Sequence, residues 1–136
     1  MPYYPPVAPQ MPQNMVLADA ASWGSATPLV VSQFSFDPSA YPVLPHLAFV
    51  AVASNGSSPL TTYVKLYNVT DSEYVSSAAL AYTTMTPFYN GSGLTIGGGA
   101  GLIKPTARIY EVRIWVDAPV NPADTIELGS ASLLIS

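Results

Sequence analysis

Short runs of alternating apolar and polar residues, each closed by proline, glycine or asparagine, constrain the fold of this chain more than any other feature. The clearest run is RIYEVRIWVDA at 108–118, which carries charged residues and Trp115 on one side. The residues on its other side are Tyr110, Val112, Ile114 and Val116. Because successive side chains of a strand point to opposite faces, this pattern predicts a β-strand with one face in a core and the other toward solvent or a partner.

Further segments carry a strand signal, and no segment shows the 3.6-residue apolar period of a capped helix. They are PLVVSQFSF (28–36), HLAFVAVAS (46–54), TTYVKLYNV (61–69), EYVSSAALAYTTM (73–85) and TIELGSASLLIS (125–136). Within 61–85 two alternating runs flank the polar stretch NVTDS, which is typical of a hairpin connection. Together the segments predict an all-β fold, an antiparallel sandwich or jelly roll, as a single domain over residues 16–136.

A glycine-rich stretch, TPFYNGSGLTIGGGAGLIKPT at 86–106, interrupts this pattern. A phosphate-binding loop would require Lys followed by Ser or Thr at the start of a helix. Lys104 is instead followed by Pro105, and the next run is a strand. We therefore predict a flexible loop or a set of sharp bends here.

Residues 1–15 contain the proline-rich segment MPYYPPVAPQMPQNM, which predicts an extended arm because each proline fixes φ and removes a backbone donor. The arm carries no charged side chain. Its large apolar or aromatic residues include Tyr3, Tyr4, Met11 and Met15. Two interpretations stay open: a disordered tail, or an arm that orders against a neighbouring subunit through these four residues.

Charged residues make up only 9 % of the chain, against roughly 25 % in ordinary soluble domains. This scarcity favours an assembled protein, because other subunits can then cover part of the surface. The basic residues are Lys65, Lys104, Arg108 and Arg113. They are too scattered for the basic patch that nucleic acids or anionic membranes require, so we expect neither as a partner.

The chain has no cysteine, which excludes disulfides and thiolate metal sites. The first residues also lack the basic and apolar regions of a secretory signal peptide. These features predict a protein made in the cytoplasm.

Residue types that perform catalysis are present without a recognisable arrangement. His46 is the only histidine and stands at the start of a predicted strand, where a hydrogen-bonding role is the simpler interpretation. The closest acids, Asp71 and Glu73, flank a turn and offer at most an incidental cation site. Glu111 and Asp117 share a strand face about 20 Å apart, too far for a glycosidase pair. We therefore expect no enzyme activity, no catalytic residue, no metal and no cofactor.

Aromatic residues give the best candidates for binding. Tyr63, Tyr67, Tyr110 and Trp115 lie on predicted strands. Exposed on a sheet, such side chains could stack on sugars, as in a carbohydrate-binding or adhesin-type module. Since interfaces are enriched in Tyr and Trp, we favour core or subunit-interface roles for these four residues.

The motifs YVKLYNVTDSEYV and ARIYEVRIWVDAP, with the closing DTIELGSASLLIS, resemble a type of tailed-phage virion protein. In that family a strand and turn of the form (R/K)LYNVTDG precedes a YE(L/V)(R/Q)(L/I) strand and a GSASLLI-type closing strand. The likeness covers the C-terminal half of the chain and consists of turn and strand residues. Ser72 stands where the family often has glycine.

The resemblance implies a jelly-roll-like capsid decoration or cement protein, or a head-fibre or tail-associated protein, that is usually trimeric. It implies residence in the virion and binding to the major capsid protein or other virion proteins. The aromatic residues add a host surface glycan as a further candidate partner. The resemblance implies no catalysis.

Overall fold

The alternating runs form nine strands in the computed structural model, which describes residues 13–56 and 60–136. The strands are β1 (Gln13–Ala18), β2 (Ala21–Trp23), β3 (Leu29–Phe36), β4 (Leu47–Asn55), β5 (Thr62–Asn68), β6 (Glu73–Tyr82), β7 (Phe88–Leu94), β8 (Arg108–Val116) and β9 (Ile126–Ile135). A single 3₁₀ turn at Pro38–Ala40 follows β3 in the described chain. The side chain of Asp37 accepts a hydrogen bond from the Ser39 backbone N–H and begins this turn.

The strands form two antiparallel sheets whose pairing is nested. The first sheet has the order β1-β9-β4-β7, with β2 also paired to β9, and the second has the order β3-β8-β5-β6. Strands early in the chain therefore pair with strands late in the chain. The outermost pairs are β1 and β2 with β9, and the innermost pair is the β5–β6 hairpin. With β1 and β2 sharing one position, this is the eight-position topology of a jelly roll, which confirms the predicted fold class.

The core lies between the sheets and contains the alternate residues that the sequence pattern selects. Val112, Ile114 and Val116 of β8 are buried, as predicted. They face residues of the first sheet such as Phe49. The two sheets are also joined by a hydrogen bond of 2.6 Å from the buried Tyr82 hydroxyl to the Ala51 carbonyl oxygen. Burial raises the pKa of Tyr82, so this hydroxyl stays a donor.

Tyr110, which was a candidate for binding, belongs to this core. Its side chain is 0 % exposed, and its ring stacks on Phe34 at 5.7 Å between centroids. Its hydroxyl accepts a hydrogen bond of 3.1 Å from the Lys104 backbone N–H. A side chain so placed packs the interior and holds the loop that precedes β8, so of the two roles expected for it, core or subunit interface, Tyr110 has the core role.

The predicted hairpin between β5 and β6 is confirmed, and a buried asparagine organises its turn. The Asn68 amide nitrogen donates to Asp71 Oδ2 at 2.7 Å, while Asn68 Oδ1 accepts from the Asp71 backbone N–H at 3.0 Å. Ser72 has a φ of 55°, in the left-handed region that favours glycine. This conformation explains why glycine is frequent at that position in the family that the chain resembles.

The prediction of a loop for the glycine-rich stretch is wrong for its first part. Phe88–Leu94 is β7, which pairs with β4 along its whole length. Its outward positions include Gly91, where a Cβ atom would lie 2.8 Å from Val50 Cγ1. Gly91 thus makes room for the Val50 side chain of the neighbouring strand, and the residues after Leu94 form the expected loop.

The boundary of the predicted N-terminal arm also shifts. Gln13 and Met15 lie in β1 and pair with Ile135 and Leu133 of β9, so the strand begins inside the segment predicted as an arm. Met15 packs against the core, which makes its assignment to a partner-binding arm wrong. Residues 1–12, with Tyr3, Tyr4 and Met11, lie outside the described residues.

We expect substitution of Asn68 by alanine to destabilise the domain by about 1 to 3 kcal/mol, the cost of losing the two hydrogen bonds that its side chain makes to Asp71. Urea unfolding followed by circular dichroism measures this free energy. Asn90→Ala is the matched control, because Asn90 is only half-buried and its Nδ2 lies 3.4 Å from the Ala81 carbonyl oxygen. Equal losses in the two variants would contradict a special role for the Asn68 turn.

Candidate binding surface

The outer face of the second sheet carries an aromatic and basic cluster, which we call the aromatic face. It consists of Tyr63, Lys65, Tyr67, Tyr74, Arg113 and Trp115, all of them half-buried. Alternation along β5 and β8 turns these side chains outward while their neighbours Val64, Leu66 and Ile114 fill the core. Three of the predicted candidates, Tyr63, Tyr67 and Trp115, are therefore brought together.

Strand register sets which of these residues touch. Tyr63 is opposite Trp115, and Lys65 is opposite Arg113, in the β5–β8 pairing. On the other side, Tyr67 is opposite Tyr74 in the β5–β6 hairpin. Tyr74 was missed at the sequence level, although counting residues back across the hairpin turn would have placed it near Tyr67.

The rings form a continuous patch. Centroids are 5.4 Å apart for Tyr63 and Trp115, 5.8 Å for Tyr74 and Trp115, and 4.9 Å for Tyr67 and Tyr74. These separations are within the range of favourable aromatic pairs. The patch offers apolar ring surface, with neighbouring rings tilted by 33° to 69°, beside phenol hydroxyls, which suits a ligand with both apolar and polar groups.

Two cations lie against these rings. Lys65 Nζ is 5.0 Å from the Trp115 centroid and 5.1 Å from the Tyr63 centroid. The guanidinium carbon of Arg113 is 3.6 Å from the Tyr67 centroid. All three distances permit attraction between a cation and the negative face of an aromatic ring.

The two cations differ in their other partners. Arg113 donates to Glu111 Oε1 and to the Tyr74 hydroxyl, each at 3.2 Å. Burial lowers the pKa of Arg113, but these hydrogen bonds outweigh burial and raise it overall. In the described part of the chain the other salt bridges are Lys104–Glu73 and Arg108–Asp71, so Lys65 is the base without a carboxylate partner there.

The acids at the hairpin turn do not form a cation site. Asp71 is 2.8 Å from Arg108 Nε, and Glu73 is 2.8 Å from Lys104 Nζ, so each carboxylate is already paired with a base. The hydrogen bond from Arg108 lowers the pKa of Asp71, and the hydrogen bond from Lys104 lowers the pKa of Glu73. Across residues 13–56 and 60–136, no group of three or more His, Asp or Glu side chains could hold a metal ion.

His46 closes the end of the first sheet through its backbone. Its N–H donates to the Ser136 carbonyl oxygen at 2.8 Å, and its own carbonyl oxygen accepts from the Ser136 N–H at 2.9 Å. The residue lines a cleft of about 430 Å³ whose wall includes Leu134. This position agrees with the strand-end role predicted for it.

No helix in the described ranges is long and apolar enough to cross a membrane.

Comparison with known proteins supports the fold. No protein-family profile and no curated protein sequence matches the chain. The structure is similar over 99 % of the chain to one in the T13 infectious bursal disease virus particle, with a TM-score of 0.57 and 13 % identity, and it covers 35 % of that chain.

Two further solved structures show the same likeness. In the Gx strain of infectious bursal disease virus the TM-score is 0.55 at 13 % identity, over 99 % of this chain and 36 % of that chain. In the Gt strain it is 0.52 at 13 % identity, over 99 % and 37 %. The chain thus spans little more than a third of the proteins it matches, and at this identity the likeness establishes the fold.

We expect the Asp71 carboxyl to titrate below its ordinary pKa of 3.8 and to return toward that value in an Arg108→Met variant. A carboxyl with a lowered folded-state pKa stabilises the fold above its ordinary pKa, and this contribution disappears as the pH falls through the lowered value. The stability difference between wild type and variant should therefore shrink with acidification below about pH 3.8. Side-chain NMR titration and urea unfolding measure the two effects.

The Glu73 carboxyl serves as the internal control in the same titration, because its pKa is lowered mainly by Lys104 and not by Arg108. An unchanged Asp71 titration in the variant would show that Arg108 does not set its pKa.

Proposed function

We propose that this protein is a structural component of a virion that works by packing against other virion proteins. The observation that carries the proposal is the central part of the outer face of the first sheet, which we call the charge-free face; Glu127, an exposed outward residue near the start of β9, lies beside it and is not part of it. The residues of the charge-free face are Asn14, Val16, Ala48, Val50, Val52, Tyr89, Gly91, Gly93, Ser130, Ser132 and Leu134. None of them carries a charge at neutral pH, and several line one shallow cleft of about 160 Å³.

Such a face is suited to burial against another protein. Desolvating apolar and small polar side chains costs far less than desolvating charges, and interface cores are depleted in charged residues. Large apolar side chains stand exposed on it, with Val16 at 60 % and Tyr89 at 63 %. Gly91 and Gly93 have no side chains that rise above the backbone of this face, so a second protein surface can approach the sheet closely.

The virion setting is supported by two likenesses. The chain resembles tailed-phage virion proteins in its turn and strand motifs, and it shares the jelly-roll fold with chains of infectious bursal disease virus. Within this setting we propose a capsid decoration, cement or head-fibre role, with the major capsid protein or another virion protein as partner. The protein would be made in the host cytoplasm and reside in the particle.

A homotrimer is the assembly that we propose. Closed cyclic symmetry buries the same patch on each subunit and leaves no unsatisfied surface. The charge-free face then covers part of a neighbour or of the capsid lattice.

The N-terminal segment adds a second proposed contact. Residues 1–12 precede Gln13, which lines the 430 Å³ cleft at the end of the first sheet. The segment has no charged side chain, and its prolines lower the entropy that binding must overcome. We propose that it contacts an adjacent subunit or capsid protein.

Carbohydrate binding is the second candidate function, and the aromatic face favours it. Tyr63, Tyr74 and Trp115 form a patch of rings with phenol hydroxyls at its edge. A virion protein that is anchored by its charge-free face could present this patch to a surface glycan.

We expect a lysine at position 52 or 16 of the charge-free face to abolish assembly, because the ammonium group would have to be desolvated at the interface. Light scattering at micromolar concentration should give three times the 14.3 kDa chain mass for wild type and one chain mass for Val52→Lys and Val16→Lys. Ala81→Lys, an exposed position on the second sheet, is the matched control and should stay assembled.

Circular dichroism checks that each of these variants is folded. A wild type of one chain mass that is also absent from purified particles would overturn the proposed function.

We expect deletion of residues 2–12 to weaken attachment to particles while leaving the thermal midpoint of the isolated domain unchanged. The deletion stops before Gln13 because that residue pairs with Ile135 in the first sheet. Occupancy on particles across a salt series measures attachment. Undiminished occupancy and salt resistance would show that the segment contributes no contact.

A further inference from the structure

The aromatic face contains two positive charges and one negative charge in direct proximity. Lys65 and Arg113 are cross-strand neighbours in the β5–β8 register, and like charges in that relation repel each other. Glu111 is only 8 % exposed and is bonded to Arg113. The rings around Lys65 offset part of the repulsion and Glu111 offsets part of it at Arg113, but no carboxylate among the described residues is paired with Lys65.

An anionic group placed between Lys65 and Arg113 would reduce the repulsion that remains and give Lys65 a charged partner. Each cation has donor capacity for a carboxylate oxygen, since an ammonium has three N–H donors and a guanidinium five. Hydrogen bonds between charged partners are about twice as strong as neutral ones. The Tyr74 hydroxyl, 3.2 Å from Arg113, adds a polar group beside the same position.

The rest of the face limits the size and charge of the ligand. The local excess is a single positive charge, while the whole chain has a net charge of −4. A polyanion such as nucleic acid or a run of acidic residues would be repelled beyond the first contact. The Trp115 and Tyr63 rings, whose planes are tilted by 33°, instead offer an apolar surface next to the cations, which fits a compact ring bearing one carboxylate.

We propose that the aromatic face binds an acidic sugar, a pyranose that carries one carboxylate. The carboxylate is held by Lys65 and Arg113, and the apolar face of the sugar ring packs on Trp115 and Tyr63. Lys65 leaves its position over the rings when the sugar binds, which its flexible side chain permits. The inference rests on the proposed carbohydrate-binding role and adds the ligand class to it.

The test follows ligand binding to the intact chain by the indole N–H signals of the two tryptophans in ¹⁵N NMR spectra. The probes are the methyl glycosides of N-acetylneuraminic acid and of glucuronic acid. The methyl ester of the glucuronic acid glycoside and methyl glucoside are the uncharged counterparts. Trp23, whose Nε1 donates to the Thr27 carbonyl oxygen at 2.7 Å, lies on the first sheet and provides an internal reference.

The expected result is a saturable shift of the Trp115 signal with the acidic sugars and an unmoved Trp23 signal. The uncharged counterparts should bind at least about tenfold more weakly, the scale of one charge-assisted hydrogen bond. Lys65→Gln should lose about the same factor, and Lys65→Arg should retain binding because it keeps the charge. Tyr89→Ala, an exposed aromatic on the charge-free face, should bind as wild type does.

Each other result overturns the inference in a distinguishable way. Equal binding of acidic and neutral sugars removes the role of the carboxylate but leaves carbohydrate binding standing. Tighter binding of an acidic hexapeptide than of either sugar assigns the face to a protein partner. Absence of binding by all the sugars removes both the inference and the carbohydrate-binding role, while assembly is judged separately by light scattering.

Discussion

The fold depends on strand β9, because the first sheet is hydrogen-bonded around it. β9 pairs with β1 and β2 along one edge and with β4 along the other. Its inward residues Ala131, Leu133 and Ile135 also enter the core. Buried backbone N–H and C=O groups must be hydrogen-bonded. β9 therefore supplies hydrogen-bond partners to β1, β2 and β4, which precede it in the chain by many residues. Pairing strands that lie so far apart in the sequence costs chain entropy before the strand contacts form. This cost is characteristic of β topologies that fold slowly.

Alternation made much of this architecture predictable, since it is a local property of the chain. The inward positions Val64 and Leu66 of β5 are apolar, and so are those of β8, and each run was closed by a turn residue. β7 was not predicted as a strand, because its outward positions 91 and 93 are glycine and a glycine adds neither an apolar nor a polar residue to the alternation. The reason for glycine at 91 lies in the side chain of Val50 on β4, and a contact between distant strands cannot be seen in a local pattern.

The candidate surface was predictable only in part for a related reason. Alternation placed Tyr63 and Trp115 on the outward sides of their own strands, but the order β8-β5-β6 makes them neighbours, and strand order is not contained in a single run. The strand face on which a residue lies was a better guide to exposure than its residue type, because Tyr110 is aromatic yet lies on the inward side of β8. The position of Lys65 over the rings depends on three strands at once.

The two outer faces of the sandwich differ in chemistry, and the sheets between them hold those faces in a fixed back-to-back orientation. A chain held through the charge-free face necessarily turns its aromatic face to the opposite side. Repetition of a chain so held on the proposed lattice would create a regular array of identical sites. In such an array the second and later contacts are intramolecular, so avidity can exceed the affinity of one site by about 10² to 10⁴ without any new contact. A single site of low affinity is therefore sufficient for firm attachment.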